Sequence, residues 1–569
     1  MKRTRADMEN ARVLVDLLAR KGIRRVVLSP GSRNAPLLLL VARCPLLSRH
    51  VIVDERSAAF FALGLARQSG ESVALVCTSG TALLDYAPAV AEAYYQGVSL
   101  LVISADRPPE WIDQDDGQTI RQRDLLAPVV KASFQLPADG EPALTRHHAA
   151  RLLNEAINLS RAGHPGPVHV NVPLREPLYD LPAPGEAGRV IEPVVASRLL
   201  RGEELDRLQR RLAGSERVMI FAGFRPPDDE TGELLARLSA RDNVVVLADA
   251  LANARGGRVI PAIDRLLATL PAGERPASAP DLLLTFGGGP VSRRLKELLR
   301  EYPPGEHWHV DRRAIPPDTY RSLTLHVEMS PADFLRQLVA SLPAGLPSGY
   351  AARWQDRRAL AAARHEACTR ELPWSDLLLF SILLPALPEG CVLHLGNSTP
   401  VRYAQFFENI PAGRVDGNRG TCGIEGATST AAGAATGGGK MTVLVTGDLG
   451  FLYDLNALWA CPLPPTLRVV VILNGGGGIF RCLPGPSAVE ELEEIFTTPS
   501  DADIPALARL HRLELFEAAN ASTLRDVLPR FFSPSPRPAL LAIDTREAAS
   551  GEIFKQYLKY MNNEKLDNN

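Results

Sequence analysis

Residues 442–449 read Thr-Val-Leu-Val-Thr-Gly-Asp-Leu, and residues 469–478 read Val-Val-Val-Ile-Leu-Asn-Gly-Gly-Gly-Gly. Each stretch is a short β-branched run that breaks into a polar residue beside glycine, the pattern of a strand feeding a loop. Asp448 and Asn474 are 26 positions apart. On adjacent parallel strands their side-chain oxygens would meet at one edge of a sheet, where open α/β sheets bind ligands. A hard cation such as Mg²⁺ takes carboxylate, amide and backbone oxygens and shares them with phosphates. Glycines let the backbone approach such phosphates closely.

The same alternation of short apolar runs with longer helix-period segments extends to both ends, which predicts an α/β protein with mainly parallel sheets flanked by helices. A first block has strand candidates at 26–28, 51–53, 73–77, 100–103 and 169–172, with 50–54 read as one strand. A second has 217–222, 244–248, 282–286 and 307–310, and a third 392–395, 442–446, 469–473 and 540–543. Pro- and Gly-bearing stretches at 181–188 and 342–349 read as linkers. The predicted domains are therefore 1–185, 189–342 and 350–555, with a polar tail over 556–569.

Composition excludes several classes. Lys+Arg 63 against Asp+Glu 65 leaves a net charge of −2 over 569 residues, which argues against nucleic-acid binding by bulk charge. Seven cysteines form no CxxC pair or zinc spacing. Lys2, Arg3 and Arg5 are followed by Asp7 and Glu9 without an apolar run, and 37–42 is too short to span a bilayer. The expectation is a cytoplasmic protein without membrane insertion.

Loops that follow predicted strands concentrate polar residues: Ser29-Pro-Gly-Ser-Arg-Asn34, Asp54-Glu55, Thr78-Ser-Gly-Thr81, Ala105-Asp-Arg-Pro108 and Gly396-Asn397-Ser398. Turns and helix caps need such residues anyway, so no single loop decides anything. No GxxxxGK[ST] or strand-borne GxGxxG is present. Thr436-Gly-Gly-Gly-Lys440 precedes a strand and reads as a turn, and His147-His148 reads as a surface pair on a helix.

Gly447-Asp448 followed by Asn474 resembles the thiamine-diphosphate signature. That chemistry needs a carboxyl group against the cofactor's pyrimidine nitrogen, and Glu55, after a predicted strand, qualifies; the ordinary alternative is a glutamate favoured by a helix dipole. Beyond this motif, the chain resembles over essentially its whole length the family of 2-succinyl-5-enolpyruvyl-6-hydroxy-3-cyclohexene-1-carboxylate synthases of menaquinone biosynthesis. The resemblance lies in Ser29–Pro36 (SPGSRNAP), Thr78–Ala82 (TSGTA), Ser104–Pro108 (SADRP), Asn418–Ile424 (NRGTCGI) and Gly447-Asp-Leu449 leading to Tyr453-Asp-Leu-Asn456. Leu449, where most thiamine enzymes carry Gly, also fits.

The resemblance implies decarboxylation of 2-oxoglutarate and 1,4-addition of the succinyl carbanion equivalent to isochorismate, with thiamine diphosphate and Mg²⁺ (or Mn²⁺). It places Ser32, Arg33, Arg107, Gln118, Arg293, Arg294, Ser398, Arg402 and Arg419 near the substrates, whose paired carboxylates suit arginine. Ile479, Phe480 and Leu483 match an apolar pocket wall. Glu55, Asn397, Ile424, Gly447, Asp448, Leu449, Gly450, Asn474, Gly476 and Gly477 match cofactor positions, with Asp448, Asn474 and Gly476 on the metal. For Ile424 the ordinary alternative is a buried core residue, and for Arg293-Arg294 a solvated helix start. Arg293 stands where lysine is also familiar, Gly450 where Ser is common, and Leu473-Asn474-Gly475 where the family often has consecutive asparagines. A homodimer or dimer of dimers is implied. Rival readings are another thiamine-diphosphate 2-oxoacid decarboxylase or an acetohydroxyacid synthase, and a catalytically silent thiamine-diphosphate-binding regulator.

Overall fold

A computed structural model describes residues 6–139, 141–181, 188–196 and 198–562. Most of the predicted linker at 181–188 and the end of the predicted tail lie outside these residues.

The described residues form three sheets. The first is ordered β2-β1-β3-β4-β6-β5, from β1 (Arg25–Leu28), β2 (Ser48–Val51), β3 (Val73–Cys77), β4 (Leu100–Asp106), β5 (Ser133–Gln135) and β6 (Val168–Pro173). The second is β11-β10-β9-β7-β8, from β7 (Val218–Ala222), β8 (Val244–Ala248), β9 (Leu282–Phe286), β10 (Glu306–Asp311) and β11 (Leu325–Glu328). The third is β13-β12-β14-β15-β17-β16, from β12 (Val392–Leu395), β13 (Arg414–Asp416), β14 (Thr442–Gly447), β15 (Leu467–Leu473), β16 (Glu514–Ala518) and β17 (Ala539–Asp544). The described ladders are parallel. Central strands such as β3, β7 and β9 are buried along their whole length, as sheets covered by helices on both faces require.

The chain divides into two compact units. One comprises residues up to 195 with 418–440 and 453–467; the other holds 196–417, 441–452 and the remainder from 468. In the first unit the helix Glu55–Ser69 packs along the helix Ala427–Gly438. The latter reads Ala-Thr-Ser-Thr-Ala-Ala-Gly-Ala-Ala-Thr-Gly-Gly, with no side chain larger than threonine. Its backbone therefore comes unusually close: a Cβ on Gly64 would lie 1.9 Å from the Thr430 carbonyl oxygen, and one on Gly433 2.0 Å from that of Phe61.

Strand order fixes where ligand-binding loops fall. In the first sheet the chain reverses direction of growth between β1 and β3, in the third between β12 and β14, and such switch points open crevices beyond the strand ends. The loops after β1 and β3 carry Ser29–Asn34 and Thr78–Thr81; those after β12 and β14 carry Gly396–Ser398 and Gly447-Asp448. At the second sheet's switch point, between β7 and β9, the crevice is shut. The Gly223 N–H donates to the Phe286 carbonyl at 2.9 Å and the Gly288 N–H to that of Phe224 at 2.9 Å.

Three expectations are corrected. The strand expected at 50–54 ends at Val51, because Asp54 turns to cap the next helix, accepting from the Ser57 N–H at 2.8 Å. The expected turn 436–440 is mostly helix: it runs to Gly438 and stops at Gly439, whose φ of 64° is left-handed. The polar tail does not begin at 556, because the helix Ser550–Met561 buries Ile553, Tyr557 and Met561 on one face. Gly450 lies within the helix Asp448–Tyr453.

Candidate active site

In the first unit, the Ser29–Asn34 loop closes on itself. The Asn34 amide accepts from the Gly31 N–H at 2.9 Å and donates to the Ser29 carbonyl at 2.8 Å. Gly31 lies so close to Thr78 that a Cβ would come within 2.5 Å, which joins the two switch-point loops. Ser32 is exposed. Arg33 is buried, donating to the Leu174 carbonyl at 2.9 Å and pairing with Glu176 at 3.2 Å.

A buried polar network supports the neighbouring loops. Gln122 accepts from the Gly80 N–H at 2.8 Å and donates to Asn171 at 2.9 Å; Asn171 donates to Asp106 at 2.7 Å. Asp106 in turn accepts the Arg107 N–H at 2.7 Å. Burial pushes the Asp106 carboxyl up to about 6 against these hydrogen bonds. The Arg107 guanidinium donates to the Gly117 carbonyl at 2.7 Å and pairs with Asp116 at 2.8 Å. Gln118 is exposed with φ 55°, a left-handed geometry that costs a non-glycine residue energy.

Glu55 opens the helix Glu55–Ser69 and is half-buried. Burial, aided by the charges of Asp85 and Asp54, holds its carboxyl above the usual range. Such a group keeps a proton further toward neutrality than an exposed glutamate, which suits the cofactor role. The loop carrying Arg419 is gripped by Glu92, whose carboxylate accepts the Gly420 N–H at 2.6 Å. Ile424 is 40% exposed, so it is not a core residue.

In the second unit, Asp448 lies at the end of β14. One of its oxygens accepts from the Leu449 N–H at 2.7 Å; the other accepts from Gly476 at 2.9 Å and Gly475 at 3.1 Å. Burial nevertheless raises its carboxyl, with the charge of Asp376 adding to the effect. The facing loop is fixed from three sides. Arg481 donates to the carbonyls of Asn474 at 2.9 Å and Gly475 at 3.2 Å. The Gly477 N–H donates to the Thr497 carbonyl at 2.7 Å. Gly476 has φ 101°, and a Cβ there would lie 2.1 Å from the Thr497 oxygen, so only glycine fits.

The Asn474 amide donates to Asp376 at 3.0 Å, while its Oδ1 is buried without a partner. A buried acceptor left unsatisfied beside a desolvated carboxylate fits a hard cation. Among the described residues no three His, Cys, Asp or Glu side chains cluster to hold a metal, so a cation here would take the mixed carboxylate, amide and backbone set expected from the sequence. A cavity of about 380 Å³, lined among others by Asp376, Asn474, Arg481 and Thr545, adjoins it.

Asn397 is buried, and Ser398 holds φ 73° with its carbonyl accepting from Arg402 at 2.7 Å. Buried Asp264 accepts from the Ser292 hydroxyl, and Ser292 caps the helix Arg293–Glu301. Both Arg294 and Arg402 lower the Asp264 carboxyl electrostatically, so the two arginines share one field. Arg293 instead points to solvent and pairs with Glu297 at 2.7 Å, side chains 65% and 58% exposed, the geometry of a solvated helix start. Ile479 and Phe480, on the short turn Gly478–Arg481, and Leu483 just after it are half-buried, and Phe480 packs on Phe496 with ring centroids 5.6 Å apart. Glu92, Gln122, Asn171 and Asp376 escaped sequence reasoning: each is a single polar residue in an otherwise ordinary helix, strand or loop.

Residues 8–125 match the family described as thiamine pyrophosphate enzyme, N-terminal TPP binding domain. Over 98% of both chains, the protein is 44% identical to the 2-succinyl-5-enolpyruvyl-6-hydroxy-3-cyclohexene-1-carboxylate synthase of Porphyromonas gingivalis. Relatives of the same name from Cytophaga hutchinsonii (38%; 96% and 97% covered) and Bacteroides thetaiotaomicron (35%; 97% and 98% covered) are similar along their whole lengths too. Likeness of this identity and extent shows that the chain belongs to the 2-succinyl-5-enolpyruvyl-6-hydroxy-3-cyclohexene-1-carboxylate synthase family.

Proposed function

We propose that the protein is a thiamine-diphosphate-dependent carboligase of the transferase class. It makes 2-succinyl-5-enolpyruvyl-6-hydroxy-3-cyclohexene-1-carboxylate for menaquinone biosynthesis from 2-oxoglutarate and isochorismate, releasing CO₂. One observation carries the reading: the likeness to synthases of that name spans 98% of this chain.

When bound, thiamine diphosphate supplies the electron sink for decarboxylation and the nucleophilic carbon for addition. Asp448, the Asn474 oxygen and the Gly476 backbone would hold the divalent cation, and Gly447, Leu449, Gly450, Gly477 and Asn397 would hold the diphosphate. Glu55 would hold a proton toward the cofactor's pyrimidine ring, and Ile424 would pack against the cofactor. Arg33, Arg107, Arg294, Arg402 and Arg419 pair with substrate carboxylates. Ser32, Gln118 and Ser398 add hydrogen bonds. Arg293 contributes once it leaves Glu297. Ile479, Phe480 and Leu483 keep water from the reacting carbon, which strengthens nearby charge interactions. The assembly is a homodimer or dimer of dimers. All seven cysteines are free, which fits the reducing cytoplasm, and no helix among the described residues is long and apolar enough to cross a membrane.

Measuring CO₂ release from 2-oxoglutarate and from pyruvate, with and without isochorismate, tests the reading. Preference for 2-oxoglutarate and formation of the coupled product are expected; a better rate with pyruvate overturns it.

A further inference from the structure

An amide ligand has two ends of nearly the same shape and opposite polarity: its oxygen binds a cation and its NH₂ group cannot. We infer that Asp376 is a positioning residue that selects which end of the Asn474 amide faces the metal site. The inference rests on the thiamine-diphosphate reading of the Asp448 edge.

Asp376 begins the helix Asp376–Leu383 and is 2% exposed. Its Oδ2 accepts from Asn474 Nδ2 at 3.0 Å. Its Oδ1 accepts from the hydroxyls of Thr545 at 2.7 Å and Ser550 at 3.2 Å. Its own N–H donates to the Ser550 hydroxyl oxygen at 3.0 Å, so the carboxylate is anchored on both sides. An ionised carboxylate has only acceptors, and only the NH₂ end of Asn474 can face it. The amide oxygen is thereby turned away and left buried without a partner. The backbone cannot slip to compensate, because Arg481 holds the Asn474 carbonyl and Asp448 holds the next two N–H groups. A flipped amide would set oxygen against carboxylate and present NH₂ to the cation.

Mg²⁺ titrated calorimetrically into the full chain with thiamine diphosphate, alongside thermal melts, tests this without reading turnover. In Asp376→Asn the new amide keeps its oxygen toward the two hydroxyls and turns NH₂ to Asn474, forcing the flip; Mg²⁺ should bind about 10–100-fold more weakly. Asp376→Ala removes the same charge but leaves the Asn474 amide free to turn, so it should bind Mg²⁺ better than Asp376→Asn. The reciprocal double variant D376N/N474D keeps one amide facing one carboxylate, whose second oxygen can face the cation, and should return to within about threefold of wild type. Equal loss in Asp376→Asn and Asp376→Ala overturns the inference, because charge alone would then explain it. So does wild-type affinity in Asp376→Asn, or loss in the double variant. If Asp376→Asn does not fold, the double variant decides alone. Asp448→Ala separates the two readings. If it also leaves Mg²⁺ affinity unchanged, the metal site itself is misplaced. If it loses affinity while Asp376→Asn does not, only the role of Asp376 fails.

Discussion

Glu92 holds Thr421 twice through one oxygen: Oε2 accepts from the Thr421 N–H at 2.7 Å and from its hydroxyl at 2.6 Å. The other oxygen takes the Gly420 N–H, and the side chain is 1% exposed. Two backbone donors thus depend on one buried carboxylate from a different part of the chain. In Glu92→Gln one acceptor becomes an NH₂ group facing a donor, at a cost of about 1–3 kcal/mol. Because Arg419 precedes these residues, the variant should melt lower, be cut faster by trypsin after Arg419, and show a raised KM for a carboxylate substrate. Unchanged melting, cleavage and KM together would mean the grip does not matter.

The helix pair of the first unit predicts a second effect. Gly64→Ala would drive a methyl group into the Thr430 carbonyl, 1.9 Å away. Helix propensity favours alanine by about 1 kcal/mol, yet overpacking a rigid backbone contact costs more, about 1–3 kcal/mol or above. The net result should be destabilisation, read as a lower denaturant midpoint. Gly22→Ala is a poor comparison because its φ of 73° is itself restrictive, whereas Gly214→Ala, with open space around it, should be near neutral or stabilising.

Most of the fold could be read from the chain because central strands are continuous apolar runs. What escaped were β5, β11, β13 and β16, all at sheet edges. Ser-Phe-Gln, Leu-His-Val-Glu, Arg-Val-Asp and Glu-Leu-Phe-Glu-Ala are short or polar strands paired on one side only, so they need no apolar run. The placement of Asp448 and Asn474 at neighbouring strand ends was legible because each lies at the end of an apolar run and beside glycine. Asp376 and Glu92 were not, because what marks them is burial and the donors that converge on them, and a lone carboxylate in a helical stretch gives no sign of either. Arg293 shows the opposite limit: the motif points to the site, and the side chain is paired with Glu297 on the surface.

Glu55→Gln keeps size and much of the hydrogen bonding but carries no carboxylic proton. Since burial and the neighbouring aspartates raise the Glu55 carboxyl, the wild-type residue can hold that proton where an exposed glutamate would not. The variant should still bind thiamine diphosphate and lose hydrogen–deuterium exchange at the thiazolium carbon. Exchange at the wild-type rate would remove Glu55 from the activation step.

Asp264 sets a pH dependence of stability. Burial raises its carboxyl from 3.8 to about 6, outweighing the hydrogen bond from Ser292 and the charges of Arg294 and Arg402. Between those values the folded chain binds a proton that the unfolded chain has released, so this group's contribution falls as pH rises through the window. Stability from Asp264 is greatest below about pH 4 and is fully lost above about pH 6, by at most about 3 kcal/mol. Asp264→Asn keeps an oxygen for the Ser292 hydroxyl and cannot ionise. Other carboxylates titrate in the same range, so the informative quantity is the difference between wild type and variant. Melting both at pH 4.5 and 7.5 should show the variant gaining on wild type as pH rises. A difference that stays constant across that range would mean Asp264 titrates like an exposed aspartate, with its charge already compensated by Arg294 and Arg402.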